Sequence, residues 1–560
     1  MKILCKKMAL SAVLFSALFS LCAQEKKIEN LRDFLDSEIA AGKKEIMVPA
    51  GRYEVEDKGG AHLVFRGVEG VTIKAYDVDL VCKQTSCAIL IVECKNFKIE
   101  GLRVDYDPLP FTQGKIVAMS DDKMVHEIEI FDGYPDTSRI SVNKYEIFDQ
   151  NTRRLKVDTY SMEKIEPISK TRFKAYKAKH CMYRKFQNEE IGDIVVTASS
   201  SEKGRGGHAI YISYSKDVTL KDINLYASCS FGFFDYASEG LVYDTCRVLR
   251  RETGDIAKRA NPRVRSLNAD GFHSKIAKKG PTYLNCETGW NGDDSIAING
   301  TYHLVIGSKG NKLRVISNRN PLNIDEGDRV EIFKTDGSVE YATVKSVLPA
   351  AKITEEEEKW LYSLPIYPGF KEHKTFKSGF EVELDREIDV PRRSMILNAN
   401  MIGNGFKIKG GKFGNNRSRG LIIKCGHGVI EGATIEAAWM ESIKIAPEWF
   451  WFEGGHTENL VIKNNVIKCG AGPAITINSP KVNLKEGFGP AGAHRNIAIL
   501  NNKISYVSLP VIFATSVQDL RLSKNKLNVM DDGYYMHDYG GRHMGTDCTE
   551  PITLINCSQK

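Results

Sequence analysis

The chain of 560 residues is 42% hydrophobic and 27% charged, proportions of a soluble globular protein long enough for a large core and more than one domain. Its formal net charge of +7 falls to +4 when Lys2, Lys6 and Lys7 of the leader are set aside. So weak a balance, with no basic stripe and no interleaved aromatics, excludes nucleic acid as a partner.

The first 23 residues read as a signal peptide. Lys2 to Lys7 give a positive start, Met8 to Leu21 an apolar stretch, and Ala23 a cleavage point before Gln24. The expected location is therefore exported: periplasm, cell surface or outside a bacterium. Cys22 admits a lipid anchor, but the bulky Leu21 before it favours soluble export. No other stretch is apolar for long enough to span a membrane. Eleven cysteines remain beyond the leader. They show no CxxC spacing, so neither a zinc site nor a disulfide framework is expected. Cys246 and others fall at inward positions, where small hydrophobes belong; Cys548 and Cys557 are close enough to bridge.

Leu31, Phe34, Leu35 and Ile39 follow helical spacing, and Gly42 ends that helix. With the strand from Ile46 to Tyr53 it forms the expected cap of a solenoid. A repeating template follows: apolar, any, apolar, two others, an inward residue, any, apolar. Phe97, Ile99, Leu102 and Val104 fit it, as do Val218, Leu220, Ile223 and Leu225, and Leu241, Tyr243, Cys246 and Val248. Late in the chain the inward position becomes Asn465, Asn502 and Asn525. Asparagines at one position on successive coils stack and bond along the axis. The step of 23 residues from Val218 to Leu241, and again from Ile497 to Leu520, points to an all-β fold, a right-handed parallel β-helix. Two stretches break the period, and both carry alternating patterns with a Gly-Asp strand start, at Gly192-Asp193 and Gly327-Asp328. They read as two inserted small β-barrel domains. The charged run from Glu355 to Lys359 inside the second reads as a solvated helix turn. The resulting division is 1–23 leader, 24–113 cap and first coils, 114–200 first barrel, 201–302 central coils, 303–395 second barrel and 396–560 last coils.

Chemistry centres on Asp270, Asp293 and Asp294. Asp270 and Asp293 are 23 residues apart, one coil, so they are expected to stack on neighbouring rungs about 4.8 Å apart. Glycosidic hydrolysis needs an acid and a base of this kind, and crowding raises one carboxyl pKa. Plain turns and a calcium site are the competing readings of the same residues. His273 is placed to touch a sugar hydroxyl or tune an aspartate, and Trp290 to stack on a pyranose ring. Glu448, Trp449 and Trp451, in the run Pro447 to Glu453, combine aromatic faces with carboxylates, as sugar recognition requires. Arg417 and Arg419 offer donors on a turn, and Cys425-Gly426-His427-Gly428 follows one strand later. Asp105, ahead of the first insertion, reads as a turn residue. Arg247, Arg250, Arg251, Arg259, Arg263 and Arg265 read as a solvated basic loop.

The arrangement of Asp270 with Asp293-Asp294 is similar to that of the polygalacturonases of glycoside hydrolase family 28, although Gly426-His427-Gly428 comes late and no Arg-x-Lys follows it. The segments Asn268-Ala269-Asp270-Gly271-Phe272-His273-Ser274 and Cys286-Glu287-Thr288-Gly289-Trp290-Asn291-Gly292-Asp293-Asp294-Ser295 more closely resemble glycoside hydrolase family 110. These are bacterial α-1,3-galactosidases acting on blood group B antigens, and the likeness takes in nearly the whole chain. The resemblance implies an inverting exo-hydrolase that removes terminal α-1,3-linked galactose from an oligosaccharide or glycoconjugate without metal or nucleotide cofactor. Asp270, Asp293 and Asp294 would be its catalytic carboxylates, with Asp270 as acid and the pair handling water. The family 28 pattern instead makes the first Asp of the pair the acid. Inversion usually needs carboxylates about 6.5–9.5 Å apart, for which Asp270 to Asp294 offers the longer diagonal. A lyase with calcium-binding aspartates acting on pectin-like glycans, and a non-catalytic glycan-binding solenoid, are the alternatives.

Overall fold

A computed structural model describes residues 28–177, 188–199, 207–252, 261–318, 322–470, 472–507, 509–530 and 550–559. The leader with Cys22, and also Arg259 and Cys548, lie outside these residues.

The chain forms a parallel β-helix built on two ladders. One stacks a single short strand per coil, among them Ile210–Ser213, Phe233–Tyr236, Phe272–Lys275, Ile296–Thr301, Leu421–Ile423 and Ile443–Ile445. Among the described residues the other ladder holds 20 strands, mostly two per coil, such as Thr219–Lys221 with Asn224–Leu225 and Val242–Asp244 with Arg247–Val248. A residue of positive φ bends the chain between them: Asp222 at 51°, Thr245 at 56°, Asn285 at 50°. Aspartate and asparagine reach this left-handed region at least cost, whereas the β-branched Thr245 is strained there. Alternation sends Leu220, Tyr243 and Tyr283 inward, and the rings of Tyr243 and Tyr283 stack 5.3 Å apart.

The inward position carries Ile223, Cys246 and Cys286 early, all buried. Burial pushes the Cys286 thiol up to about 12. Late in the chain Asn465 Nδ2 donates to Asn502 Oδ1 at 2.9 Å, and Asn502 Nδ2 to Asn525 Oδ1 at 2.9 Å. The left-handed residues here are the ones just before, Asn464, Asn501 and Lys524. The ladder asparagines thus serve hydrogen bonding, and their neighbours serve the bend.

The helix Leu31–Ala40 starts on Asn30, whose side chain accepts from Arg32 N and Asp33 N. Its Leu31 and Leu35 are buried in the core. Among the described residues no helix is long and apolar enough to cross a membrane.

Two closed six-stranded barrels interrupt the coils. Strands of the first run from Phe111–Met119 to Ile194–Ala198, and those of the second from His303–Lys309 to Met395–Asn398. The helix Glu355–Leu361 in the second begins with a capping box on Thr354 and Glu357.

Buried charge fastens both barrels to the solenoid. Beside the first, within the solenoid itself, Arg263 grips Asp105 through both terminal guanidinium nitrogens at 2.9 and 3.0 Å, and Arg251 adds a contact at 3.0 Å. Arg265, fully buried, meets Glu146 of the barrel at 2.8 Å. The expected solvated basic loop is therefore wrong for these arginines, and Asp105 is no exposed turn residue. Buried carboxylates matched by guanidinium explain both, since an unpaired buried charge is costly. At the second barrel, Glu331 accepts from Tyr302 Oη at 2.6 Å, sits 2.8 Å from His456 Nδ1, and accepts from the His456 amide at 2.9 Å.

Candidate active site

Register decides which carboxylates face each other. Phe272 pairs with Ile296 and Ile296 with Leu421. Two residues before each lie Asp270, Asp294 and Arg419, which therefore form one column. The expected stacking of Asp270 on Asp293 is thus one residue out. The coil here spans 24 residues, so Asp294 sits above Asp270 and Asp293 projects beside them. Asp270 to Asp294 is the direct neighbour contact, not the longer diagonal.

One side chain and two glycines set the turn. Asn291 Nδ2 donates to the carbonyls of Asp293, Asp294 and Ala269 at 2.8, 2.9 and 3.2 Å, tying the two aspartate turns together. Gly271 N donates to Asp294 O at 2.9 Å. At Gly292 a Cβ would stand 2.6 Å from Asn268 O, so only glycine permits this approach.

One oxygen from each of the three carboxylates lies within 4.8 Å of the others. Their surroundings differ. Asp293 receives Lys144 Nζ at 2.6 Å and Arg417 Nη1 at 3.3 Å on the same oxygen, and these cations hold it well below the usual carboxylate range against its burial. Burial raises Asp294 to about 7, with Asp270 and Asp293 adding to the rise and Arg419 opposing it. Asp294 Oδ1 accepts Arg419 N at 2.8 Å, and the Arg419 Nε lies 3.4 Å away. Asp270 is pushed well above its ordinary value by burial and by the negative Asp293. Asp270 Oδ2 is 2.7 Å from His273 Nδ1, and the other ring nitrogen meets Asn299 Nδ2 at 3.1 Å. With Asn299 donating, the proton belongs on His273 Nδ1. Burial lowers the imidazole to about 4, so it is neutral near pH 7. The cluster is thus one fixed anion beside two carboxyls that favour a proton. The positive charge a divalent ion would bring is already supplied by Lys144, Arg417 and Arg419.

A charged chain runs outward from this centre. Arg419 Nη2 donates to Glu448 Oε1 at 2.8 Å; Lys424 Nζ bridges Glu448 and Glu453 at 2.7 and 2.8 Å; Lys275 meets Glu453 at 3.1 Å. Burial opposes ionisation of Glu448, but Arg419 and Lys424 still hold it down to about 2. On the rungs preceding Asp270, aromatic rings stack: His208 on Phe231 at 4.8 Å and Phe231 on His273 at 4.5 Å.

The structure gathers Asp270, Asp293, Asp294, His273, Arg417, Arg419 and Glu448 in one place. It does not bring Trp449 there: its indole donates to Pro480 O at 3.0 Å and stacks 4.2 Å from Phe333 of the second barrel. One face of Trp290 is covered by the Arg250 guanidinium, 3.5 Å from the ring centre. Trp451 packs on Tyr367 at 4.5 Å, beyond the charged chain. His427 lies elsewhere, exposed beside Asn459. Lys144 is the residue that sequence reasoning misses. It sits 149 positions from Asp293, in an inserted barrel, with no motif around it.

No protein-family model matches the chain. It is 24% identical over 389 residues to a protein named alpha-1,3-galactosidase B from Bacteroides thetaiotaomicron, an alignment covering 65% of this chain and 56% of that one. It is 23% identical over 330 residues to alpha-1,3-galactosidase A from Streptomyces avermitilis, covering 57% and 49%. The chain thus spans about half the length of the curated relatives it matches. Among solved structures, a mannuronan C-5 epimerase A-module of Azotobacter vinelandii aligns over 97% of this chain and 98% of its own, with 11% identity and a TM-score of 0.40. A surface adhesin of Streptococcus pneumoniae covers 96% and 97%, with 11% identity and a TM-score of 0.37.

Proposed function

We propose that the chain is a glycoside hydrolase that releases terminal α-1,3-linked galactose from glycans. The observation that carries this reading is the division of charge among three carboxylates within 4.8 Å, with Asp293 held ionised while Asp270 and Asp294 are driven toward the protonated form. General acid catalysis needs a carboxyl still protonated at working pH, and general base catalysis needs one that is not. The Asp270–Asp294 pair shares a proton and delivers it to the glycosidic oxygen as the bond to galactose breaks. Asp293 takes a proton from the attacking water. The family 28 pattern, in which the first aspartate of the pair is the acid, is not the one these charges favour. The names of the relatives supply the sugar and the linkage. Group B-type branched glycans and linear α-1,3-galactosides are the substrates to try first.

The test is galactose release from α-1,3-galactosyl oligosaccharides, followed by proton NMR of the first product. The resemblance to family 110 leads to an expectation of inversion, hence β-galactose first. Retention would give α-galactose first, so the anomer decides between the two. No release from any α-galactoside overturns the reading. An unsaturated product, lost with chelator, establishes the lyase alternative instead.

A further inference from the structure

Between the outward face of Phe272–Lys275 and the second barrel lies a cavity of ≈120 Å³. This is less than the ~150 Å³ enclosed space that takes a benzene ring, but the cavity is open on one side, so a pyranose would seat one edge in it. Trp451 and Tyr367, tilted together at 4.5 Å, supply the apolar side. Lys275 and Glu453 form the rim toward the solenoid, 3.1 Å apart. The barrel contributes His303, 2.7 Å from Asn323 Oδ1, and Asn318, whose buried Oδ1 has no hydrogen-bond partner.

The charges at the cavity cancel. Lys275 answers Glu453, which Lys424 also holds, and burial keeps His303 neutral by lowering it to about 4. That favours an uncharged ring over a uronate or other acidic sugar. The cavity also stands apart from the carboxylates. Lys275 follows Asp270 by five residues, at the far end of the strand Phe272–Lys275. Lys424, Glu448 and Arg419 lie between Glu453 and Asp294.

We propose that this cavity is a subsite for a second, uncharged pyranose of the glycan whose terminal galactose is cut at the carboxylates, so that the second barrel selects the substrate. The proposal rests on the hydrolase reading for its role, though not for its binding. Two measurements test it. First, kcat/KM is compared for an aryl α-galactoside and a neutral α-1,3-galactosyl trisaccharide in wild type, Trp451→Ala and Asn323→Ala. Each variant is expected to lose ~10-fold on the trisaccharide relative to the aryl galactoside, mostly in KM, with Trp451→Phe restoring part of it. An equal fall on both substrates, or no fall on either, overturns the subsite. Second, calorimetry with the galactose-free neutral disaccharide should show binding to wild type that Trp451→Ala weakens ~10-fold. Indifference to the mutation, or equally tight binding of a uronate-containing disaccharide, overturns it. If wild type binds this disaccharide in a Trp451-dependent way yet releases no galactose, the subsite stands and the hydrolase reading falls.

Discussion

The two barrels look alike, six strands closed on themselves and sprung from a coil of one solenoid, yet they serve the candidate site in different ways. The first delivers a charge, since Lys144 on Asn143–Phe148 reaches Asp293. The second delivers a shape, since its residues wall the cavity beside Lys275 and Glu453. An insertion can therefore act on a reaction through the protonation of a group it touches or through the space it encloses. These have separate kinetic signatures, kcat with its pH dependence in one case and KM in the other.

The largest expected effect falls on the anion that the first barrel stabilises. Asp293→Asn should lower galactose release by ~10³-fold or more, and a good aryl leaving group should not rescue it. The same leaving group should rescue the Asp270 or Asp294 asparagine variants if they supply the acid. Rescue of Asp293→Asn alone would reverse the assignment. Lys144→Ala comes next. Without its nearest cation Asp293 becomes easier to protonate, so the acidic limb of the pH profile should move to higher pH by ~1 unit and activity on that limb should fall ~10-fold; Lys144→Arg should recover part of both. An unmoved limb would separate the first barrel from the chemistry.

At the second barrel, His456→Ala takes the imidazole from Glu331, which keeps Tyr302 Oη and the backbone amide of residue 456, at a cost of ~1–3 kcal/mol. The thermal midpoint should drop, and galactosyl oligosaccharides should suffer more than aryl galactosides. Stability offers a subtler check. The Asp294 carboxyl is raised to about 7 in the folded chain, above its unfolded value near 3.8. Its contribution is therefore intact below pH ~4 and lost as pH rises through 7. Asp294→Asn should raise the melting temperature relative to wild type at pH 8 more than at pH 4; the same difference at both would mean that the group does not titrate there. Smallest of all in its effect on activity, Asn502→Ala removes four side-chain hydrogen bonds, to Asn465 N, Asn465 Nδ2, Ile462 O and Asn525 Oδ1, costing ~3 kcal/mol, and should leave kcat/KM alone.

Much of the architecture is legible in the sequence because a coil repeats its inward residues. Leu220, Tyr243 and the asparagines Asn465, Asn502 and Asn525 declare it. The aspartates are legible for the same reason, but only to within one residue. A period counted on strands does not register that the turn between Phe272 and Ile296 holds one residue more, and this moves Asp294 into the column in place of Asp293. The remaining gaps have a different origin. Lys144, Arg263 and Arg265 act through contacts between segments more than 100 residues apart, which no local pattern encodes. Arginines in a loop look solvated until the carboxylates that bury them are placed. Trp449 shows the converse: an aromatic run carries no mark of which ring faces the groove and which packs under a barrel.

The position of Lys144 bears on the order of folding. The coils that carry the aspartates follow the first barrel in the chain, so the barrel leaves the ribosome before the residues it will serve. If domains fold as they emerge, the lysine waits in a finished barrel until the coils wind past and bring Asp293 to it. A chain whose coils had formed over an unfolded insertion would keep its three carboxylates in register, but with Arg417 as the one cation left on Asp293 Oδ2 to tell the base from the acid.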